Sequence, residues 1–239
     1  EDGTDTLDAV YLAGNVGIGT TTPSEALDVV GKIALNDGGN SVFIGENAGL
    51  NDDGSANLNV GIGIDALRSN TTGGRNTATG WESLRANTTG GYNTANGLQS
   101  LLSNTTGNNN TASGVYSLQN NTTGGNNTST GYASLRNNIS GGNNTANGLN
   151  SLSSNTVGSS NSANGYSSLS NNTSGDYNTA NGRDSGRYIS DGTTNNSISN
   201  NSIYLGYSTK ALANNQTNQI VIGYDATGIG SNSVVLGND

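Results

Sequence analysis

The sequence predicts an all-β protein, a parallel β-solenoid (β-roll) of about 17-residue coils, packed as an intertwined or side-by-side homotrimer. Three columns of residues predict the coil. Glycine recurs every seventeen residues at Gly63, Gly80, Gly97, Gly114, Gly131, Gly148, Gly165 and Gly182. Leucine keeps the same step at Leu67, Leu84, Leu101, Leu118, Leu135, Leu152 and Leu169, and a second glycine keeps it at Gly73, Gly90, Gly107, Gly124, Gly141, Gly158 and Gly175. No insertion breaks the register from Asn59 to Tyr177. Strict periodicity of this kind means that each repeat is one coil, burying its apolar positions against the coils before and after it. Such a molecule grows as a rod.

Four segments follow in order: 1–39, an N-terminal entry segment; 40–182, the repeat array; 183–201, an irregular transition; and 202–239, a C-terminal set of related repeats. The entry segment holds the apolar cluster Val10-Tyr11-Leu12, which reads either as an entry strand or as a frayed end. Beyond it Val16 and Ile18 alternate with glycines, Pro23 marks a turn, and Leu27, Val29, Ile33 and Leu35 alternate around Gly31. The glycines form no phosphate cradle, because no Gly-x-x-x-x-Gly-Lys-Ser/Thr is present and no helical pattern follows. The run Asn15-Val16-Gly17-Ile18-Gly19-Thr20-Thr21-Thr22-Pro23-Ser24-Glu25-Ala26-Leu27-Asp28-Val29 resembles a motif recurrent in bacteriophage tail fibres and related surface fibres. That resemblance implies a fibrous trimer.

The array starts irregularly, with Ser41-Val42-Phe43-Ile44-Gly45 and Asn59-Val60-Gly61-Ile62-Gly63 eighteen residues apart, and loses its pattern from Arg183 to Asn201. It returns as Ser202-Ile203-Tyr204-Leu205-Gly206, Gln219-Ile220-Val221-Ile222-Gly223 and Ser233-Val234-Val235-Leu236-Gly237. These last forty residues are similar to the head of trimeric autotransporter adhesins, which implies a β-roll with three chains in one trimer. The longer period and the Asn-Thr-Ala-x-Gly wording of the central array depart from that family.

With Asn59 as position one, the repeat reads Asn-Thr-Ala-x-Gly-Φ-x-Ser-Leu-x-x-Asn-Thr-Thr-Gly-Gly-x. Two short strands and two glycine turns are expected per coil, the glycines supplying positive φ. The expected interior has three parts. One is the sixth position: Ile64, Trp81, Leu98, Val115, Tyr132, Leu149 and Tyr166. Another is the leucine column at the ninth, and the last is alanine at the third in five of seven repeats. That core is lean, since a buried leucine contributes roughly 1.5–3 kcal/mol while each ordered residue costs about 1–2 kcal/mol of backbone entropy. Packing three chains together would add to it and would cover the sixth-position aromatics.

Two asparagine columns, Asn76, Asn93, Asn110, Asn127, Asn144, Asn161, Asn178 and Asn70, Asn87, Asn104, Asn121, Asn138, Asn155, Asn172, read as ladders of amides bonded from coil to coil. A sugar-binding ladder is the competing reading. Several members of the second column lie in glycosylation sequons, such as Asn70-Thr71-Thr72 and Asn138-Ile139-Ser140, which a repeat generates at no selective cost. Two threonine columns, Thr77 to Thr179 and Thr71 to Thr173, read as strand residues with good β propensity or as an array that orders water.

Composition excludes several classes. Hydrophobic residues are 30% of the 239, charged residues 10%, and the net charge is -9, a poor balance for nucleic acid or an anionic membrane. Glycine and leucine held in register argue against disorder. Cysteine, methionine and histidine are absent, which removes disulfides, thiol chemistry and the commonest zinc ligands. No signal peptide, lipidation motif or run long enough to insert in a bilayer is legible, so export would be encoded elsewhere or follow lysis. No cofactor, metal or catalytic site is expected, because catalysis needs a convergent, unequal group of residues where a repeat tends to give equal ones, and the array has no histidine base or cysteine nucleophile. Asp52-Asp53-Gly54 reads as a turn and not as a calcium loop. Charges gather at Asp176, Arg183, Asp184, Arg187 and Asp191, read as a salt-bridged change of coil type. Between Ala86 and Gly175 Arg136 is alone in carrying charge.

The expected function is that of the structural and receptor-presenting part of a homotrimeric surface fibre, extracellular, on a virion or a bacterial surface. Its partners would be itself, a host glycan or protein receptor, and other fibre proteins. An ice- or surface-binding solenoid using threonine and asparagine ladders is the alternative, and an enzyme such as a polysaccharide depolymerase stands third.

Overall fold

The structure is a computed structural model that describes residues 9–12, 15–18, 27–29, 40–55 and 57–237. The chain divides after Asn36 into two compact units. In the first, β1 (Ala9–Leu12) pairs antiparallel with β2 (Asn15–Ile18), which pairs parallel with β3 (Leu27–Val29). Val10-Tyr11-Leu12 is therefore strand. The turn expected at Pro23 and the apolar residues Ile33 and Leu35 lie outside the described residues.

The second unit is a parallel β-solenoid of about eleven turns. Its strands are β4 (Val42–Ile44), β5 (Val60–Ile62), β6 (Thr77–Thr79), β7 (Thr94–Asn96), β8 (Thr111–Ser113), β9 (Thr128–Thr130), β10 (Thr145–Asn147), β11 (Ser162–Asn164) and β12 (Thr179–Asn181). They continue as β13 (Ser199–Asn200), β14 (Ile203–Leu205), β15 (Gln216–Thr217), β16 (Gln219–Ile222) and β17 (Ser233–Leu236). All but β13 and β15, which pair with each other, form one twelve-stranded sheet stacked in chain order. Register is kept coil by coil, with Thr77 opposite Thr94 and Ala78 opposite Ala95. A seventeen-residue period places like residues in line, and the ladder fixes it.

Each coil carries one strand of three or four residues in this sheet, where two were expected. The leucine of the ninth position is the reason: Leu67 to Leu169 all sit at φ between 46° and 54°, and the seventh position is also left-handed, as at Gln99 (54°) and Tyr116 (60°). Alternation with left-handed residues cannot continue an extended strand. That stretch instead turns while its amides bond to the next coil, with Leu118 N donating to Ser134 O (3.0 Å), Asn120 N to Arg136 O (2.9 Å) and Thr122 N to Ile139 O (2.9 Å).

The two glycine columns differ in cause. Gly97 has φ 130°, which a side chain rarely adopts. Gly90 has an ordinary φ, and a Cβ there would stand 2.5 Å from both Gly107 O and Asn87 Oδ1. Close approach between coils, not positive φ, requires the second column.

The interior is narrow. Leu67, Leu84, Leu101, Leu118, Leu135, Leu152 and Leu169 are fully buried, as are Ala78, Ala95, Ala112, Ala146, Ala163 and Ala180. A serine column outside the expected interior, Ser83 to Ser185, is buried beside them; most of its hydroxyls donate to the turn glycine three residues earlier, as Ser100 Oγ does to Gly97 O (3.0 Å), while Ser117 and Ser151 donate to Ser129 O (3.2 Å) and Ala163 O (2.8 Å) of the next coil. The sixth-position column does not belong to this interior. Ile64, Trp81, Val115, Tyr132, Leu149 and Tyr166 are 37–51% exposed and Leu98 is half-buried. The turn at the preceding glycine swings that side chain outward, and leucine with alanine already closes the coil.

At two levels the core is exchanged. Where the leucine position becomes Gly49 (φ 61°), the ring of Phe43 fills the space, within 2.5 Å of where a Cβ would stand, and presses on Gly61 of the next coil. Where it becomes Gly186 (φ 64°), the ring of Tyr204 fills it, against Leu169. The coil from Asn178 is also seven residues longer, Thr179 pairing with Ile203. The excess forms an excursion closed by an antiparallel bridge between Tyr188 and Asn195. The segment 183–201, expected as a break between repeat types, is thus one enlarged coil of a continuous solenoid.

Candidate functional site

Both asparagine columns face inward and are fully buried or nearly so. Asn93 Oδ1 accepts from Asn110 N (3.0 Å), and Asn110 Nδ2 donates to Gly124 O (2.9 Å). In the second column Asn121 Nδ2 donates to Asn104 Oδ1 (2.8 Å) and to that same Gly124 O (3.0 Å). Each amide therefore satisfies turn backbone that a lean core would otherwise bury unpaired. Neither column can touch a sugar, and the sequon asparagines of the second cannot carry a glycan in the folded chain, because their Nδ2 groups are consumed inside.

The threonine columns separate. In the Thr71 column the hydroxyls are spent on the next coil, as Thr105 Oγ1 is on Thr122 O (3.0 Å). In the Thr77 column they point outward from the strands, and among the described residues Thr77, Thr94, Thr111, Thr128, Thr145 and Thr179 make no side-chain hydrogen bond. In the twelve-stranded sheet the third position of β5 to β16 is buried, and the second and fourth positions on either side of it face outward, half-buried or exposed. From β4 to β17, excluding β13 and β15, none of these outward residues is charged. They are aliphatic at both ends, Val42, Ile44, Val60 and Ile62 at one and Ile203, Leu205, Ile220, Ile222, Val234 and Leu236 at the other. Threonine, serine and asparagine lie between.

A second face joins positions six, seven and ten. Here Arg85 pairs with Glu82 (3.1 Å), Gln99 Nε2 donates to Glu82 Oε2 (2.6 Å), Gln119 Nε2 to Gln99 Oε1 (2.7 Å), and Arg136 Nε to Gln119 Oε1 (3.0 Å). The Arg136 guanidinium lies 5.4 Å from the Tyr116 ring centroid, and Tyr116 meets Tyr132 edge to face at 5.7 Å. At one end this line borders a surface groove of ≈ 560 Å³ lined by Asn51, Arg68, Ser69, Arg85, Leu102 and Ser103.

The charges at the enlarged coil do not form one site. Asp184 binds Arg183 (3.3 Å) and Arg187 (2.7 Å), and Arg183 stacks between Tyr166 and Tyr207. Asp176 Oδ1 accepts from Ser159 N (2.6 Å), one coil away. Asp191 caps its own turn, and hydrogen bonds from the Thr194 hydroxyl and the Thr194 and Thr193 amides hold its carboxyl down at about 2. Asp52-Asp53-Gly54 is likewise a turn, its carboxylates accepting from Gly54 N (3.0 Å) and Ser55 N (2.9 Å). Among the described residues no helix is long and apolar enough to cross a membrane. No family model, no curated protein and no solved structure matches this chain.

Proposed function

We propose that this chain is the structural, receptor-presenting part of a homotrimeric surface fibre, extracellular and carried by a virion or a bacterial cell. The uncharged outward strand face carries the reading. Parallel copies related by an axis along the rod set each residue opposite itself, so any charge on a shared face would meet its own image. A face free of charge at every coil, aliphatic at both ends, is self-compatible, and burying it would supplement a core of one leucine and one alanine per coil. The number three comes from the resemblance of the entry and C-terminal segments to trimeric fibres. Light scattering on the full chain tests it: a mass near three times 24.0 kDa supports the fibre, and a mass of 24.0 kDa overturns it.

One observation favours a second reading, an ice- or surface-binding solenoid. The free hydroxyls of Thr77 to Thr179 stand in register on one uncharged face and could order water. The two readings exclude each other, because a trimer covers this face. Thermal hysteresis in the monomer would select the second.

A further inference from the structure

We propose that the face running from Arg68 to Arg136 is a binding strip for an oligosaccharide bearing a carboxylate, which seats on Arg136. This deepens the receptor-presenting reading and rests on it. Repetition gives equal groups at equal positions, and most of the array obeys. Between Glu82 and Arg136 it does not: a carboxylate, two side-chain amides and a guanidinium, drawn from positions seven and ten of four coils, bond in a single line. The half-buried Gln99 amide keeps an N–H and a lone pair unspent, the pairing that a sugar hydroxyl, both donor and acceptor, can meet, while Gln119 is buried beneath the line and holds Gln99 and Arg136 in place. Trp81 and Tyr132 flank the line, 51% and 49% exposed. They stand three coils apart, about 14 Å at roughly 4.8 Å per coil, and offer apolar ring surface to the C–H faces of successive sugar units.

Arg136 sets the ligand's charge. It is alone in carrying charge between Ala86 and Gly175, and among the described residues no carboxylate lies within ion-pair reach of it. Arg85, by contrast, is matched by Glu82 at 3.1 Å. The Arg136 Nε bond to Gln119 and the Tyr116 ring beneath fix the guanidinium plane, leaving its terminal N–H groups directed at whatever approaches. A fixed planar fork without an acid is suited to bidentate contact with a carboxylate.

The test is binding to short oligomers of glucuronic, galacturonic and sialic acid, each beside its carboxyl-reduced counterpart, by calorimetry or glycan array. At least one acidic oligomer is expected to bind, and its reduced counterpart to bind roughly tenfold or more weakly, the scale of a lost charged hydrogen bond. Arg136→Gln should reproduce that loss and Trp81→Ala should weaken binding, both with an unchanged melting curve because neither side chain enters the core. Arg183→Gln, which removes the same charge elsewhere on the rod, should leave binding intact. Binding to none of the acidic oligomers overturns the proposal, as does equal binding to the reduced forms or an equal loss in Arg183→Gln. Light scattering separates this from the fibre reading: a trimer without glycan binding loses only the strip, and a glycan-binding monomer loses only the fibre.

Discussion

Replacing Leu118 by alanine and by glycine probes what its left-handed backbone costs. Leu118 is fully buried at φ 52°. Truncation to alanine removes a buried isobutyl group and leaves a cavity, a loss of about 2.7–5 kcal/mol. Going on to glycine ordinarily costs more: about 0.8 kcal/mol for the Cβ and about 0.5–1 kcal/mol of chain entropy. At this φ glycine also recovers the roughly 1–2 kcal/mol that a Cβ costs in the left-handed region. The sum is close to zero, so Leu118→Gly should fall within about 0.8 kcal/mol of Leu118→Ala. Ala112, buried on a strand with ordinary φ, supplies the control, because Ala112→Gly lacks the recovery and should cost about 1.3–1.8 kcal/mol. Urea unfolding followed by circular dichroism measures all three. If glycine at 118 is worse than alanine by as much as Ala112→Gly costs, the conformational argument fails. Gly49 and Gly186 are natural instances of the substitution, each with an aromatic ring in the vacated space.

Other outcomes follow from the same contacts. Gly90→Ala should cost about 1–3 kcal/mol or more in urea unfolding, since its Cβ meets fixed backbone of the next coil. Gly91→Ser should be tolerated, because Asn108, Ser159 and Asp176 already stand at that position and accept backbone amides of the preceding coil. Asn121→Leu leaves Asn104 Oδ1 without its donor and Asn138 Nδ2 without its ladder acceptor, a loss of about 2–4 kcal/mol in the same assay. Burial raises the Tyr204 hydroxyl above 10.0, against weaker lowering by its Ser199 hydrogen bond. Its neutral form is favoured in the fold, so its contribution is whole below pH 10.0 and falls as pH rises through the raised value. Tyr204→Phe should therefore flatten the alkaline limb of a stability-versus-pH curve.

The period, the leucine and alanine columns and the asparagine ladders were legible because stacking repeats them at one spacing. Left-handed leucines were not, since leucine has no preference for positive φ and the sequence shows only that the position is apolar. That same gap hid the loss of the second strand, and with it the outward turn of the Ile64 to Tyr166 column. The exchange of core partners did leave a trace: wherever the leucine column turns to glycine, at Gly49 and Gly186, an aromatic replaces alanine in the third column, as Phe43 and Tyr204. No comparable trace marks the Glu82 to Arg136 line. Its Gln99 to Gln119 step spans twenty residues and joins two different repeat positions, so no column of like residues reveals it.

Copies of the chain are proposed to share the outward strand face, and disulfide trapping probes that arrangement because the sequence contains no cysteine. Thr128→Cys places a thiol on that face, and Thr123→Cys places one on an exposed turn of the preceding coil. Mild oxidation should link Thr128→Cys into covalent dimers while Thr123→Cys remains single. Equal linking of both, or linking of Thr123→Cys alone, would contradict the claim.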